Sequence, residues 1–168
     1  MADLQSLEAR VRLIEDRQRV VDRVYAVAHA VDYGDEDRFV DSFTSDGRFL
    51  VLLRGSDEPT HVYADHAGLR ARIENHTRPP ELYHKHIYLN PVVSIDGDAA
   101  TCDTYFLVFS VHEEEPVLLA FGRDRDRMVR CSDGDWRIIE RRAEMEVKSS
   151  MPVWTVRSTT PGAAGVAG

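Results

Sequence analysis

The sequence predicts an α+β fold: N-terminal helices set against one curved antiparallel sheet. Three observations carry that prediction. Apolar residues recur at helical spacing through the first third of the chain. After Pro79-Pro80 the pattern changes to four long strand-like runs, each divided from the next by a turn signal. Long consecutive strands preceded by helices imply two layers, with the helices covering the concave side of the sheet. The 168 residues suit one domain with one core, expected over residues 1–155. The tail, 156–168, is rich in small residues and expected to be disordered.

The elements follow in order. Leu4, Leu7, Val11 and Ile14 recur at helical spacing, and so do Val21, Tyr25, Ala28 and Asp32. Gly34 ends this first helical region, as glycine does just past many helices. Asp35 can cap a short second helix running through Phe39, Val40 and Phe43. Ser45-Asp46-Gly47 reads as a turn into a strand from Arg48 to Leu53, and a brief strand is expected near His61-Val62-Tyr63. Asp65 can cap a third helix that carries Leu69 and Ile73 on one face. Strands are then predicted at about 82–95, 99–112, 117–130 and 135–148. Asp96-Gly97 is a hairpin signal. Glu113-Glu114-Glu115-Pro116 and Ser132-Asp133-Gly134 separate the remaining strands.

Composition narrows the function classes. A net charge of −8, from 29 acidic against 21 basic residues, disfavours a nucleic-acid surface, which needs a basic stripe. No apolar run approaches the ~20 residues that cross a bilayer. Met1-Ala2-Asp3-Leu4-Gln5 lacks a basic region followed by an apolar one, so no signal peptide is expected. Cys102 and Cys131 form no CxxC pair, which leaves a reducing, cytoplasmic setting as the expectation.

Two polar residues stand where the local pattern calls for apolar ones. Asp32 continues the stripe Val21, Tyr25, Ala28 and is thereby set on the packed face of its helix. The competing reading turns it outward into an acidic cluster with Asp35, Glu36 and Asp37. His86 shares a strand face with His84 and Tyr88, while Ile87 and Leu89 point the other way. A buried carboxylate and a buried imidazole are costly unless they satisfy each other. Paired, they make a general base that works near neutral pH. His84-Lys85-His86 also has a metal-ligand spacing, but Asn90 stands where a glutamate ligand would be wanted and His112 is the only later histidine, so no metal is expected. His29, one turn from Tyr25, is a further candidate to line a cavity. Of Arg141 and Arg142 only one can face inward, either as an anion or carbonyl clamp or in a cross-strand salt bridge with Asp124 or Asp126. The alternating run Arg123-Asp124-Arg125-Asp126-Arg127 suggests charge ladders on an outer surface. No glycine-rich phosphate loop and no Gly-x-Ser-x-Gly motif occur.

Over roughly residues 10–150 this layout resembles the SnoaL-like branch of the nuclear-transport-factor-two-like superfamily. The likeness rests on Arg17 through Phe43 with its inner Asp32, on Ser45-Asp46-Gly47, on His84-Lys85-His86 followed by Asp96-Gly97-Asp98-Ala99, and on Gly134-Asp135-Trp136-Arg137-Ile138 with Arg141. The resemblance implies a cone-shaped α+β barrel enclosing a deep, mostly apolar pocket. The group includes scytalone dehydratase, bile-acid dehydratases, polyketide cyclases, hexachlorocyclohexane dehydrochlorinase and the small subunits of ring-hydroxylating dioxygenases. In the dehydratase-like members an Asp–His pair abstracts a proton, and Asp32 and His86 occupy the matching places. Arg141 matches a pocket-lining arginine of the dehydrochlorinase. The lysine that assists halide departure there is replaced by Val27, so dehydrochlorination is not expected.

The implied function is a cofactor-independent lyase or isomerase acting on an apolar, oxygenated ring compound such as a polyketide, steroid or terpenoid. His86 would be the base and Asp32 its orienting partner, with Tyr25, His84, Tyr88 and Arg141 as substrate-binding candidates. The alternatives are a non-catalytic small subunit of a ring-hydroxylating dioxygenase and a module that binds a small ligand unchanged. The expected partners are a small apolar substrate and further copies of the chain, as a dimer or trimer; neither nucleic acid nor membrane is expected.

Overall fold

The computed structural model describes residues 2–112 and 114–146. The expected tail, 156–168, lies outside the described residues. The elements run α1 (Ala2–Tyr33), α2 (Glu36–Asp41), β1 (Phe43–Leu53), β2 (His61–Ala64), α3 (Asp65–Glu74), β3 (His84–Asp96), β4 (Ala99–His112), β5 (Glu115–Arg130) and β6 (Trp136–Met145). This is the predicted α+β arrangement of helices and one sheet. No helix among the described residues is long and apolar enough to cross a membrane.

The two halves of α1 differ. Leu4, Leu7, Val11 and Ile14 keep helical spacing but are all exposed. Burial begins at Asp16 and follows Val20, Val24, Val27 and Val31, spaced 4, 3 and 4. The predicted stripe lies one residue round the helix. Ala28 and Asp32 are therefore buried at the edge of the true core face, while Tyr25 turns out to 37% exposure. A polar clamp fixes the helix to the sheet. Asp16 takes both arms of the Arg130 guanidinium at 2.6 Å, and the Trp136 indole N–H adds a longer contact at 3.4 Å. Arg17 donates to the Val93 carbonyl at 2.7 Å, which ties α1 to β3.

The short helices start as predicted from their caps. The Asp35 side chain accepts from the Arg38 amide at 3.1 Å. Asp65 accepts from the amides of Ala67 and Gly68, and its backbone takes a positive φ of 56° as β2 turns directly into α3. Leu69 and Ile73 are fully buried.

The sheet order is β2-β1-β6-β5-β4-β3. It is mixed rather than wholly antiparallel, because β1 pairs parallel to β6. It is also open, with β2 and β3 at its edges. The long excursion through β2, α3 and β3 to β5 supplies the crossover that a parallel pair needs. Ser45-Asp46-Gly47 is not a turn. It lies inside β1, where the register with β6 shifts between Phe43 and Arg48. A Cβ at Gly47 would come within 2.9 Å of the Phe43 Cβ and the Thr44 carbonyl. The β5–β6 register also shifts, between Arg127 and Met128. That shift lets Trp136 and Ile138 face the core together with Arg141 and Ala143.

Candidate active site

The last turn of α1 meets the start of β3 at an edge of the sheet. An edge strand has backbone N–H groups that no neighbouring strand takes. The His86 amide uses one of them on Asp32, at 3.1 Å to Oδ1 and 3.2 Å to Oδ2. The His86 ring bends to the same carboxylate, with Nδ1 2.7 Å from Oδ1. Asp32 is only 4% exposed. An ionised carboxylate can only accept, so the Nδ1–H is the donor of this contact and Nε2 is the nitrogen turned away from Asp32. Nε2 has no hydrogen-bond partner among the described residues, and the ring lines the main chamber of the fold.

Two further imidazoles pack around this pair. The His84 Nε2 lies 3.6 Å from Asp32 Oδ1, and its ring stands edge-on to His86 at 5.2 Å. The His76 ring, just past α3, lies 4.8 Å from His84 and 5.7 Å from His86. Burial, aided by the neighbouring His86, pushes His84 down to about 4. Burial, aided by the Arg72 charge, pushes His76 down to about 3. Both are therefore neutral at neutral pH, and a positive charge formed on His86 meets Asp32 without a cationic imidazole beside it. Asp32, His84 and His86 also offer ligand atoms within 4.8 Å of one another, a spacing that could hold a metal ion. As they stand, Asp32 and His86 are hydrogen-bonded to each other, and neither ring nitrogen of His84 has a hydrogen-bond partner among the described residues. An ion would have to take Oδ1 from the His86 ring.

About 50 Å3 of the chamber is free interior space, and about 540 Å3 is unfilled once the open mouth is counted. Its apolar walls are Val27 and Val31 of α1, Phe49 and Val51 of β1, and Phe106 and Val108 of β4. Its polar groups are His86, Tyr88, Arg72 and Asp124.

The remaining candidates fall in different places. Tyr88 lines the chamber, but its hydroxyl accepts from Arg141 Nη1 at 2.9 Å. Arg141 is the inward member of its pair and is fully buried. It is not a free clamp: Asp126 takes Nε at 2.7 Å and Nη2 at 2.6 Å, and Asp124 stands 3.4 Å from Nε. The salt-bridge alternative is the one realised. The aspartates of the 123–127 run are accordingly buried rather than displayed on an outer ladder. His84 is buried behind His86 and does not line the chamber. Tyr25 and His29 lie on exposed faces of α1, away from the chamber wall. Sequence reasoning missed Arg72 and His76, and named Asp124 only as a salt-bridge partner of Arg141. The spacing of Arg72 from Leu69 and its adjacency to Ile73 were the available signal for the first.

A SnoaL-like domain matches residues 12–142. The chain belongs to the SnoaL-like domain family. Among solved structures, this SnoaL-like chain is similar to an NTF2-like protein with a cystatin-like fold from Novosphingobium aromaticivorans. The two are 23% identical, with a TM-score of 0.74 over 89% of this chain and 94% of that one. ActVI-ORFA from Streptomyces coelicolor is 22% identical, with a TM-score of 0.65 over 77% of this chain and 96% of that one. A candidate beta subunit of an aromatic-ring-hydroxylating dioxygenase from N. aromaticivorans is 16% identical, with a TM-score of 0.69 over 82% of this chain and 93% of that one. At these identities the likeness speaks for the fold. No curated protein matches the chain at a significant level.

Proposed function

We propose that this SnoaL-like chain is a cofactor-independent dehydratase, isomerase or cyclase in which His86 is the general base. The observation that carries the reading is the 2.7 Å contact between His86 Nδ1 and Asp32, on a ring that lines an apolar chamber. His86 Nε2 takes a proton from carbon next to a carbonyl, leaving an enolate and an imidazolium that Asp32 stabilises. In a dehydration, the enolate expels a β-hydroxyl, the imidazolium returns the proton to it, and water leaves. In an isomerisation, the proton returns to a different carbon. In a cyclisation, the enolate carbon attacks a second carbonyl, and the imidazolium returns its proton to the alkoxide that forms. The walls suit an apolar, oxygenated ring compound.

The first step can be tested without the natural substrate. 2-Tetralone in D2O reports carbon acidity through deuterium uptake beside its carbonyl. The wild-type protein is expected to accelerate uptake, and His86→Ala and Asp32→Asn to reduce that acceleration by ~10²–10⁴-fold while staying folded. Uptake in either variant as fast as in the wild type would remove the pair from the mechanism.

A scaffold role, as a non-catalytic subunit, draws on a different observation. Ile87, Leu89, Tyr105, Leu118 and Phe121 are all at least 39% exposed on β3, β4 and β5. Such a surface suits a partner subunit or further copies of this chain, as a dimer or trimer. Copurification with an iron–sulfur large subunit would favour the scaffold. A scaffold has no need of the Asp32–His86 pair.

A further inference from the structure

Arg141 and Arg72 both stand on the inner side of this fold, and of the two only Arg141 has a counter-ion among the described residues. Arg141 is bracketed by Asp126 and Asp124. Arg72, in the last turn of α3, has no ion pair or hydrogen bond among the described residues, although it lines the chamber. Its plane packs on aromatic rings: the guanidinium carbon is 4.1 Å from the Phe49 centroid, 5.5 Å from Phe39 and 5.7 Å from Tyr63. Ring faces hold a cation but use none of its N–H groups, which lie in the guanidinium plane. Nε and Nη1 are sealed from solvent without acceptors. Arg72 is half-buried, and Nη2 is the one guanidinium nitrogen not among its sealed, unpartnered atoms. Burial weakens the hold of Arg72 on its proton, with Tyr88, Tyr63 and Asp124 acting the other way, yet an arginine keeps its charge in a protein. A cation so placed needs an anion, and Asp124, the acidic group of the chamber, is paired through Oδ2 with Arg141.

We propose that Arg72 anchors an anionic oxygen of the chamber's ligand through Nη2, so that the pocket selects flat apolar acids, a ring skeleton bearing a carboxylate, over the same skeleton without charge. This rests on the chamber being the ligand site, as in the function proposed above, but not on proton abstraction by His86. A charge-assisted hydrogen bond from a buried guanidinium predicts about a 10- to 100-fold preference for the acid.

The test is calorimetric titration of the full chain with 2-naphthoate and with methyl 2-naphthoate at neutral pH. The wild-type protein is expected to bind the acid at least about tenfold tighter than the ester. Arg72→Gln is expected to erase that preference, and Arg72→Lys, which keeps the charge, to retain part of it. His86→Ala is expected to keep the preference in full, even if it loses deuterium uptake, which separates this inference from the proposed catalysis. Equal wild-type affinity for acid and ester would overturn the proposal and needs no variant to fold. So would an undiminished preference in Arg72→Gln, a preference lost in His86→Ala, or no saturable binding of 2-naphthoate.

Discussion

A histidine becomes a directed base once one of its two nitrogens is fixed. Asp32 fixes Nδ1 of His86 and accepts the backbone amide of the same residue, so ring and strand are set by one carboxylate. Tyr88, two residues on, shows the opposite situation, a hydroxyl with no freedom left. It accepts from Arg141, and burial raises its ionisation far above the ordinary phenol range. It is therefore a brace for the Arg141 cluster rather than a proton donor. Tyr88→Phe would leave a buried Arg141 nitrogen without its acceptor, at a cost of about 1–3 kcal/mol. Urea unfolding should show the lowered midpoint with the slope unchanged. An unchanged midpoint would mean that Arg141 needs only its two aspartates.

Strand β5 supplies both the buried aspartates and a constriction. At Gly122, a Cβ would fall 2.0 Å from the Glu144 carbonyl oxygen and 2.8 Å from the Phe106 ring. Phe106 lines the chamber, so Gly122→Ala must displace either the chamber wall or the β5–β6 pairing. Overpacking of this kind costs about 1–3 kcal/mol, which a melting curve should register as a loss of several degrees. An unshifted melting temperature would show that Phe106 swings aside freely. The strands themselves were legible because alternation and turn signals are local: 99–112 is predicted and found without change. The parallel β1–β6 pairing was not, since register between distant segments leaves no local pattern. The α1 stripe was read one residue off because valines and alanines stand on both sides of its core face. Asp32 and His86 stood out by breaking an apolar pattern. Arg72 did not, because a charged residue on a helix looks like a solvated face until its surroundings are placed.

Burying neutral imidazoles ties the stability of the whole molecule to pH. In the unfolded chain His84 and His76 take the ordinary value near 6.5; in the fold they are held down to about 4 and about 3. The unfolded state then binds more protons below pH 6.5, so stability is full above that value and falls as the pH drops toward 4. His84 is 3% exposed and stands to contribute about 3 kcal/mol to this loss, at ~1.4 kcal/mol per tenfold difference in proton affinity. Asp124 works against the trend: burial raises its carboxyl, against the pull of Arg141, so taking up a proton there favours the fold as the pH falls. Unfolding free energies measured between pH 7.5 and 4 should therefore decline less than the two histidines alone require. Asp124→Asn should steepen the decline by removing the opposing group, and His84→Gln should flatten it. A wild-type protein whose stability does not change from pH 6.5 to 4.5, matched by His84→Gln, would mean that the fold accommodates a charged His84. The charge formed on His86 would then have a cationic neighbour, and Asp32 would have two imidazolium groups to balance rather than one.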